Sequence, residues 1–149
     1  MRKIPLYKYP IRINVGCGDT HLKGVINIDN RDCGQEMVWD VRDGVPFPDN
    51  SVEGIQSTHF LEHLDEDEAI SFIQECLRVL KSGGQFLCLC PEYHSKGAIY
   101  LGHKSFWTLE KVDSLLRSEI SLQPFVIVDN RVNINPKEFN ELLFTLKKL

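Results

Sequence analysis

The stretch VEGIQSTHFLEHLDEDEAISFIQECLRVLKSGGQFLCLC, residues 52–90, determines the fold class of this chain. Its first part, Val52–Thr58, and its last part, Gln85–Cys90, have the length and apolar content of strands. Between them, apolar residues recur at steps of three and four, which predicts an amphipathic helix. These residues are Ala69, Ile70, Ile73, Leu77 and Leu80. A strand, a helix and a second strand in this order predict an α/β domain.

The predicted helix carries signals at both ends. Asp65 or Asp67 is suited to cap its first turn, because a carboxylate accepts hydrogen bonds from the free backbone amides there. The pair Gly83-Gly84 follows its last turn and predicts a left-handed stop. In the strand that follows, Cys88 and Cys90 alternate with leucines, so we expect both to lie in the core.

Further elements flank this unit on both sides. Three short strands are predicted upstream, and a helix and two longer strands are predicted downstream. They are Ile11–Val15, Val25–Asp29, Met37–Asp40, Thr108–Ser118, Phe125–Ile134 and Glu141–Lys148. The last two strands are joined by a short polar stretch, which favours antiparallel pairing. Lys147 and Lys148 are expected at a solvated chain end.

The length and charge of the chain limit its class. A chain of 149 residues suggests a single domain, residues 1–149, with one core. The net charge of −4 argues against a non-specific nucleic-acid-binding protein, which would normally carry a basic patch.

The pattern of apolar residues and cysteines indicates a compartment. No apolar run approaches the roughly 18 residues of a membrane span, and the N-terminal residues lack the apolar segment of a secretory signal. Five cysteines without a C-x-x-C pair fit free thiols in a reducing environment. We therefore expect a cytoplasmic protein without a membrane span.

Several residues that suit ligand binding follow predicted strands. Gly16-Cys17-Gly18, Asp29, Asp40 and His59 each come at a strand's carboxyl end, where ligands bind in open α/β sheets. The glycines allow close approach of the backbone to a ligand. Asp29 is placed to accept hydrogen bonds from a ribose diol, and Asp40 from an adenine amino group.

A nicotinamide dinucleotide fits this pattern poorly. Its fingerprint has a third glycine and an acidic residue about 20 residues further on. Here Asp29 follows Gly18 after only 11 residues, and Asp19 would repel a pyrophosphate. A ligand with ribose and adenine but without phosphate, such as S-adenosylmethionine, suits these residues better.

Four segments together resemble the successive motifs of class I S-adenosylmethionine-dependent methyltransferases. They are RINVGCGD, VINIDN, PFPDNSVEGIQSTHFLEHL and ECLRVLKSGGQFLCLCPEY, between Arg12 and Tyr93, and the third is typical of the type-11 branch. The resemblance implies a Rossmann-like, mostly parallel sheet with a closing antiparallel strand pair. It also implies S-adenosylmethionine as the cofactor and methyl transfer, EC 2.1.1.-, as the reaction.

The resemblance assigns the cofactor contacts by position. They are Val15, Gly16, Cys17, Gly18, Asp29, Asn30, Asp40, Val41, Thr58 and His59. The glycine loop would lie beneath the methionine part, Asp29 would hold the ribose, and Asn30, Asp40 and Val41 would flank the adenine. Thr58 and His59 would face the methyl group and the acceptor. Trp39 is expected either in the core or as a wall of the adenine site.

The chain departs from the family in three respects. Asn14 stands where the family usually has an acidic residue, and the third glycine of the loop is absent. The connections DTHLKG and NRDCGQE are too short for the early helices of the fold, which we expect to be reduced to turns.

The segment HFLEH, residues 59–63, also matches the H-x-x-E-H pattern of a class of zinc proteases. His59 follows a strand directly, whereas the protease pattern needs both histidines on one helix, so we reject this interpretation. The segment also resembles the site of some methyltransferases that act on catechols or on RNA 3′ ends, in which a carboxylate and a following Glu-His pair surround a divalent ion. This resemblance implies a metal site from His59, Glu62 and His63, to which His94 or His103 could add a ligand, as an alternative to a simple cap and hydrogen-bond pair. Our main interpretation contains no metal.

His59 is the candidate catalytic residue. A neutral imidazole can take a proton from the acceptor during methyl transfer, although His59 could also only shape the pocket. The predicted acceptor is a small molecule or a glycan-type compound, and Tyr93, His94, His103 and Trp107 either line its pocket or pack within a loop. The alternative function is a non-catalytic, methyltransferase-like module that binds the cofactor or a partner. A homodimer would supply cover over the site.

Overall fold

A seven-stranded sheet in the order β3-β2-β1-β4-β5-β7-β6 organises the domain. The computed structural model describes residues 10–95, 98, 100–120, 124–134, 137 and 139–149. The strands are β1 (Ile11–Val15), β2 (Ile26–Asp29), β3 (Met37–Val38), β4 (Val52–Thr58), β5 (Leu80–Pro91), β6 (Phe125–Asn133) and β7 (Glu141–Lys148). Strands β1 to β5 pair in parallel, and β7 runs antiparallel between β5 and β6. The predicted α/β, Rossmann-like class with its closing antiparallel pair is confirmed.

Two α-helices connect the later strands, α1 (Glu66–Val79) between β4 and β5, and α2 (Leu109–Ser118) between β5 and β6. Asp65 caps α1 in a reciprocal arrangement with Glu68, and Thr108 caps α2. No helix among the described residues is long and apolar enough to cross a membrane.

The predicted glycine stop of α1 is wrong. The helix ends at Val79, and Leu80 is already extended, with its amide donating to the carbonyl of Cys76. Gly83, at φ +82°, lies inside β5, where the register between β4 and β5 shifts. The strand therefore begins five residues earlier than the predicted Gln85 because the chain leaves the helix directly into the sheet.

The core lies between the sheet and the buried faces of the two helices. Phe72 of α1, Phe86 of β5 and Phe144 of β7 form an edge-to-face series, with ring centroids 5.7 and 6.0 Å apart. Cys88 and Cys90 are fully buried, as predicted. Lys148, expected in solvent, is instead 5% exposed, because its ammonium donates to the Asn50 side chain and to a backbone carbonyl.

The connections from β1 to β2 and from β2 to β3 contain no helix among the residues that the structure describes. A buried polar network holds them in place. Asn27 accepts from the Asn14 amide at 3.0 Å and from the Leu22 backbone at 2.9 Å, and its own amide donates to Glu36 at 2.9 Å. Asn14, the departure from the family, is thus a hydrogen-bond donor in the interior.

Candidate functional site

A cavity of about 540 Å³ opens at the carboxyl ends of the parallel strands. Eight of the ten predicted cofactor residues line it: Val15, Gly16, Gly18, Asp29, Asn30, Asp40, Val41 and His59. Cys17 and Thr58 are not among its lining residues. The convergence follows from the parallel register, which brings the ends of β1, β2 and β4 to one edge of the sheet.

The glycine loop after β1 is attached to the end of β2. The amides of Gly16 and Cys17 donate to the Ile28 carbonyl at 2.8 and 3.1 Å. The amide of Gly18 donates to one Asp29 oxygen at 2.9 Å, and the Arg31 amide donates to the other at 3.0 Å. Asp29 therefore shapes the loop, and each of its oxygens keeps a second lone pair for a ligand hydroxyl.

Gly16 is required by its contact with Phe60. Its φ is +68°, and a Cβ at this position would lie 2.3 Å from the Phe60 ring. The ring therefore packs directly over the loop and forms part of the cavity wall. A Cβ on Gly18 would approach nothing nearer than the Arg31 guanidinium, at 3.8 Å, so at Gly18 the backbone itself faces the open cavity.

The two predicted residues outside the lining have partners elsewhere. Cys17 is buried, and burial followed by the charge of Asp29 raises the pKa of its thiol to about 11. It is therefore a neutral thiol, which donates to the Gly18 carbonyl. The Thr58 hydroxyl accepts from the Gln56 amide at 3.3 Å.

Asp40 forms an ion pair that the sequence interpretation missed. Its carboxylate caps the 3₁₀ turn Val41–Asp43. It also accepts hydrogen bonds from two side-chain nitrogens of Arg42, the shorter at 2.6 Å. Hydrogen bonds from Arg42 hold the pKa of Asp40 below its usual range. Arg42, Arg31 and Lys104 also line the cavity, so its rim carries cations as well as carboxylates.

Aromatic side chains form two walls of the cavity. Trp39 is half-buried, and its indole nitrogen donates to the Gly44 carbonyl at 2.8 Å, which fixes the ring plane. Phe60 packs edge-on against Phe72 of the core at 5.3 Å. Trp39 packs against the core, as one of its two predictions had it, and it also lines the cavity.

His59 has an unusual backbone and a strong partner. It adopts φ +52°, a left-handed conformation that is rare outside glycine and common at functional sites. Its Nε2 lies 2.6 Å from Glu141 Oε1 on β7. No sequence pattern links residues 82 positions apart; the pairing of β5 with β7 creates this contact.

A second cavity of about 210 Å³ adjoins the first, and His59 and His63 line both. Glu62, His103, Tyr100 and Glu141 line it as well. Of the four residues considered for an acceptor pocket, His103 lies here. Trp107 is buried in the core, while Tyr93 and His94 are exposed and line neither cavity.

Glu62 is the buried charge of this region. Burial raises the pKa of its carboxyl, and the nearby His59, His63 and His103 oppose this shift. His94, the other candidate neighbour, is paired with Glu92 at 2.8 Å instead. Of the two candidates, the structure therefore brings His103 to Glu62 and His63.

Comparisons with known proteins agree with this geometry. A family profile described as a methyltransferase domain, of type 11, matches residues 19–88. The ubiquinone/menaquinone biosynthesis C-methyltransferase UbiE of Desulfotalea psychrophila is 35% identical over 94 residues, 62% of this chain and 37% of that protein. The chain thus spans well under half the length of this curated relative.

Solved structures share the fold at low sequence identity. The 1,6-didemethyltoxoflavin-N1-methyltransferase of Burkholderia thailandensis, with bound 1,6-didemethyltoxoflavin and S-adenosylhomocysteine, has a TM-score of 0.68 at 18% identity, over 93% of this chain and 70% of that one. A SAM-dependent methyltransferase from Archaeoglobus fulgidus has a TM-score of 0.69 at 16% identity, over 93% and 86% of the two chains.

The predicted resemblance to class I S-adenosylmethionine-dependent methyltransferases is confirmed by these comparisons, together with the strand order. S-adenosylhomocysteine is bound in the first of these two structures, and the second is a SAM-dependent methyltransferase, which agrees with the predicted cofactor.

Proposed function

We propose that this chain is a methyltransferase domain that binds S-adenosylmethionine in the larger cavity and a small-molecule or glycan-type acceptor in the smaller one. The observation that carries the proposal is that the two cavities adjoin at His59 and His63, which line both of them. A cofactor in one cavity and an acceptor in the other would meet at these two residues.

The larger cavity fits the cofactor in size and chemistry. Its volume of about 540 Å³ lies in the usual range for such ligands. Asp29 offers lone pairs to ribose hydroxyls, and Trp39 and Phe60 offer aromatic faces, which attract a cationic sulfonium. S-adenosylmethionine supplies an electrophilic methyl group. The assignment of each of the ten residues to one part of the cofactor stays a prediction.

We assign His59 the role of general base. With Glu141 accepting from Nε2–H, the other ring nitrogen keeps its lone pair and can take a proton. As the acceptor lone pair bonds to the methyl carbon, the carbon–sulfur electron pair returns to sulfur, and the acceptor proton passes to His59. For an acceptor that needs no deprotonation, His59 and the cavity walls would act by alignment alone.

Calorimetric titration with S-adenosylhomocysteine tests the cofactor site, with Asp29→Ala and a matched control, Asp32→Ala. Asp32 is an exposed acidic residue in the loop that follows β2, and it does not line the cavity. We expect the affinity to fall at least about tenfold in Asp29→Ala, since a hydrogen bond to a charged group contributes roughly 1.5–3 kcal/mol. The control should bind like the wild type. Equal binding by both variants would remove Asp29 from the site.

A non-catalytic, cofactor-binding module is the second candidate, favoured by the two short connections that leave this part of the sheet without helices. The two functions differ in turnover: methyl transfer to any acceptor in a screen excludes the non-catalytic module.

The relatives do not identify the acceptor atom, because one is named a C-methyltransferase and another an N1-methyltransferase. A homodimer and a cytoplasmic location stay predictions.

A further inference from the structure

Three side chains with metal-binding groups meet where the two cavities adjoin. Glu62, His63 and His103 each offer one oxygen or nitrogen, and these atoms all lie within 4.8 Å of one another. We propose that these three residues bind a divalent first-row transition-metal ion, with Zn²⁺ as the reference ion. Binding of the ion does not depend on the proposed methyl transfer.

The first argument is the unpartnered carboxylate of Glu62. Its side chain is only 3% exposed, and its Oε2 has no hydrogen-bond partner among the described residues. The other oxygen lies 3.7 Å from His59 Nδ1 and 3.9 Å from His63 Nε2, which is too far for hydrogen bonds. A buried carboxylate oxygen without a hydrogen bond is costly, and a bound cation would compensate for the lost hydration.

The second argument is the orientation of the two imidazoles. Nδ1 of His63 lies 3.3 Å from the Gly102 carbonyl, and Nδ1 of His103 lies 3.1 Å from the Ala98 carbonyl. A carbonyl only accepts, so each Nδ1 carries the proton and each Nε2 keeps its lone pair. A backbone carbonyl behind the ring is the usual outer-shell support of a metal-binding histidine. The rings stand edge to face, 5.0 Å apart.

The third argument is that the chain holds the donors together. Glu62 and His63 belong to the 3₁₀ turn Leu61–His63 after β4, whereas His103 belongs to the loop before α2. The Glu62 carbonyl accepts from the amides of Lys104 and Ser105 at 2.7 and 3.2 Å, which ties the loop to the turn. Closing these donors around an ion therefore needs only small side-chain movements.

The donor set indicates the kind of ion. Two imidazoles and one carboxylate suit zinc, iron, cobalt or manganese, whereas magnesium and calcium prefer oxygen ligands alone. Three protein ligands leave further coordination positions open, as in catalytic rather than structural metal sites. His59 lies outside this group of donor atoms, and its Nε2 contacts Glu141 instead.

The open positions suggest an acceptor class, a step that rests on the proposed function. His63 lines both cavities, and Glu62 and His103 line the smaller one, so a bound ion would present its free positions to the acceptor cavity. An acceptor with two neighbouring oxygens could chelate the ion there, which would lower the pKa of its hydroxyl.

The test is a titration of tag-free apoprotein with Zn²⁺ and with Co²⁺ in the absence of cofactor. Calorimetry measures binding of both ions, and visible absorption measures bound Co²⁺. We expect one ion per chain and no competition from equimolar Mg²⁺. Glu62→Gln and His103→Ala should each weaken binding at least about tenfold, since even outer-shell partners of a metal contribute that much. The control is His94→Ala, which removes a histidine that lies outside the cluster and is paired with Glu92.

Two results would overturn the proposal. The first is a wild-type protein that binds neither Zn²⁺ nor Co²⁺. The second is metal binding that is unchanged in both Glu62→Gln and His103→Ala, or that is lost in the control His94→Ala. His103 lies in a loop, so its variant reports on the site even if Glu62→Gln alters the turn. The metal titration contains no cofactor, so absence of metal binding would say nothing against S-adenosylhomocysteine binding. Likewise, loss of cofactor binding in Asp29→Ala would not affect the interpretation of the metal titration.

Discussion

Gly16 is the residue at which backbone conformation and packing act together. Gly16→Ala would place a Cβ 2.3 Å from the Phe60 ring on a residue that already has φ +68°. The left-handed strain costs about 1–2 kcal/mol and the overpacking about 1–3 kcal/mol, so the free energy of unfolding should fall by about 2–5 kcal/mol. Phe60 would also move into the larger cavity, so affinity for S-adenosylhomocysteine should fall. Urea denaturation and calorimetry measure the two effects.

Gly24 supplies the matched control for this prediction. Its φ is +80°, but a Cβ there would have no neighbour within 4 Å. Gly24→Ala therefore tests the backbone strain alone and should cost only about 1–2 kcal/mol without changing cofactor affinity. Equal costs for the two variants would mean that Phe60 does not confine Gly16.

Some residues of the candidate site could be predicted from the sequence, and others could not. The placement of Gly16, Asp29 and His59 at the larger cavity was predictable because each lies at the carboxyl end of a strand, and parallel strands end at one edge. Arg42 was missed because its part comes from a turn and a side-chain ion pair with Asp40. Glu141 was missed because its contact with His59 exists only once β7 has paired with β5.

At the scale of elements, the Asn27 network replaces the missing early helices. Asn27→Ala would remove the acceptor for Asn14 and Leu22 and the donor to Glu36, all in a position with no solvent exposure. Since each buried group left unpaired costs about 1–3 kcal/mol, we expect a loss of about 3 kcal/mol in urea denaturation. The turn between β1 and β2 should also become more sensitive to proteolysis.

Asn133→Ala is the control for this variant. Asn133 is an exposed asparagine at the end of edge strand β6, and its removal should change the free energy of unfolding by less than about 0.5 kcal/mol. Similar stabilities for Asn27→Ala and Asn133→Ala would show that the short connections are held by something other than this network.

The elements themselves differed in how well they could be predicted. Strand β4 begins at the predicted Val52, and α1 is capped by Asp65, one of its two predicted caps, because both signals are local: a β-type segment and an acidic cap. The end of α1 could not be placed, since Gly83 is the stronger local stop signal while pairing of Leu80 with Val52 extends the strand. Long-range pairing outweighed the glycine.

At the scale of the whole molecule, an ion pair on α1 fixes the segment that leads into β4. Arg78 donates to both Glu75 oxygens at 2.8 Å and also to the carbonyls of Val45 and Phe47. The Val45 amide donates to Glu75 in turn, at 2.9 Å. The hydrogen bonds from Arg78 hold the pKa of Glu75 below its ordinary value of 4.5.

This lowered pKa makes part of the stability depend on acid. A carboxyl whose pKa is lower in the folded state stabilises the fold above its unfolded pKa, and the contribution disappears as the pH falls through the folded pKa. Glu75→Gln should therefore cost about 1–2 kcal/mol near pH 7, for a side chain that is 30% exposed, and this difference from the wild type should shrink below pH 4.5. Thermal unfolding across a pH series measures this difference in stability.

Glu53→Gln is the control, since it removes an exposed partner 3.6 Å from Lys81. Its stability should equal that of the wild type at every pH, because such surface pairs contribute little. A Glu75→Gln deficit that is constant from neutral to acid pH would assign the loss to packing rather than to the charge of Glu75.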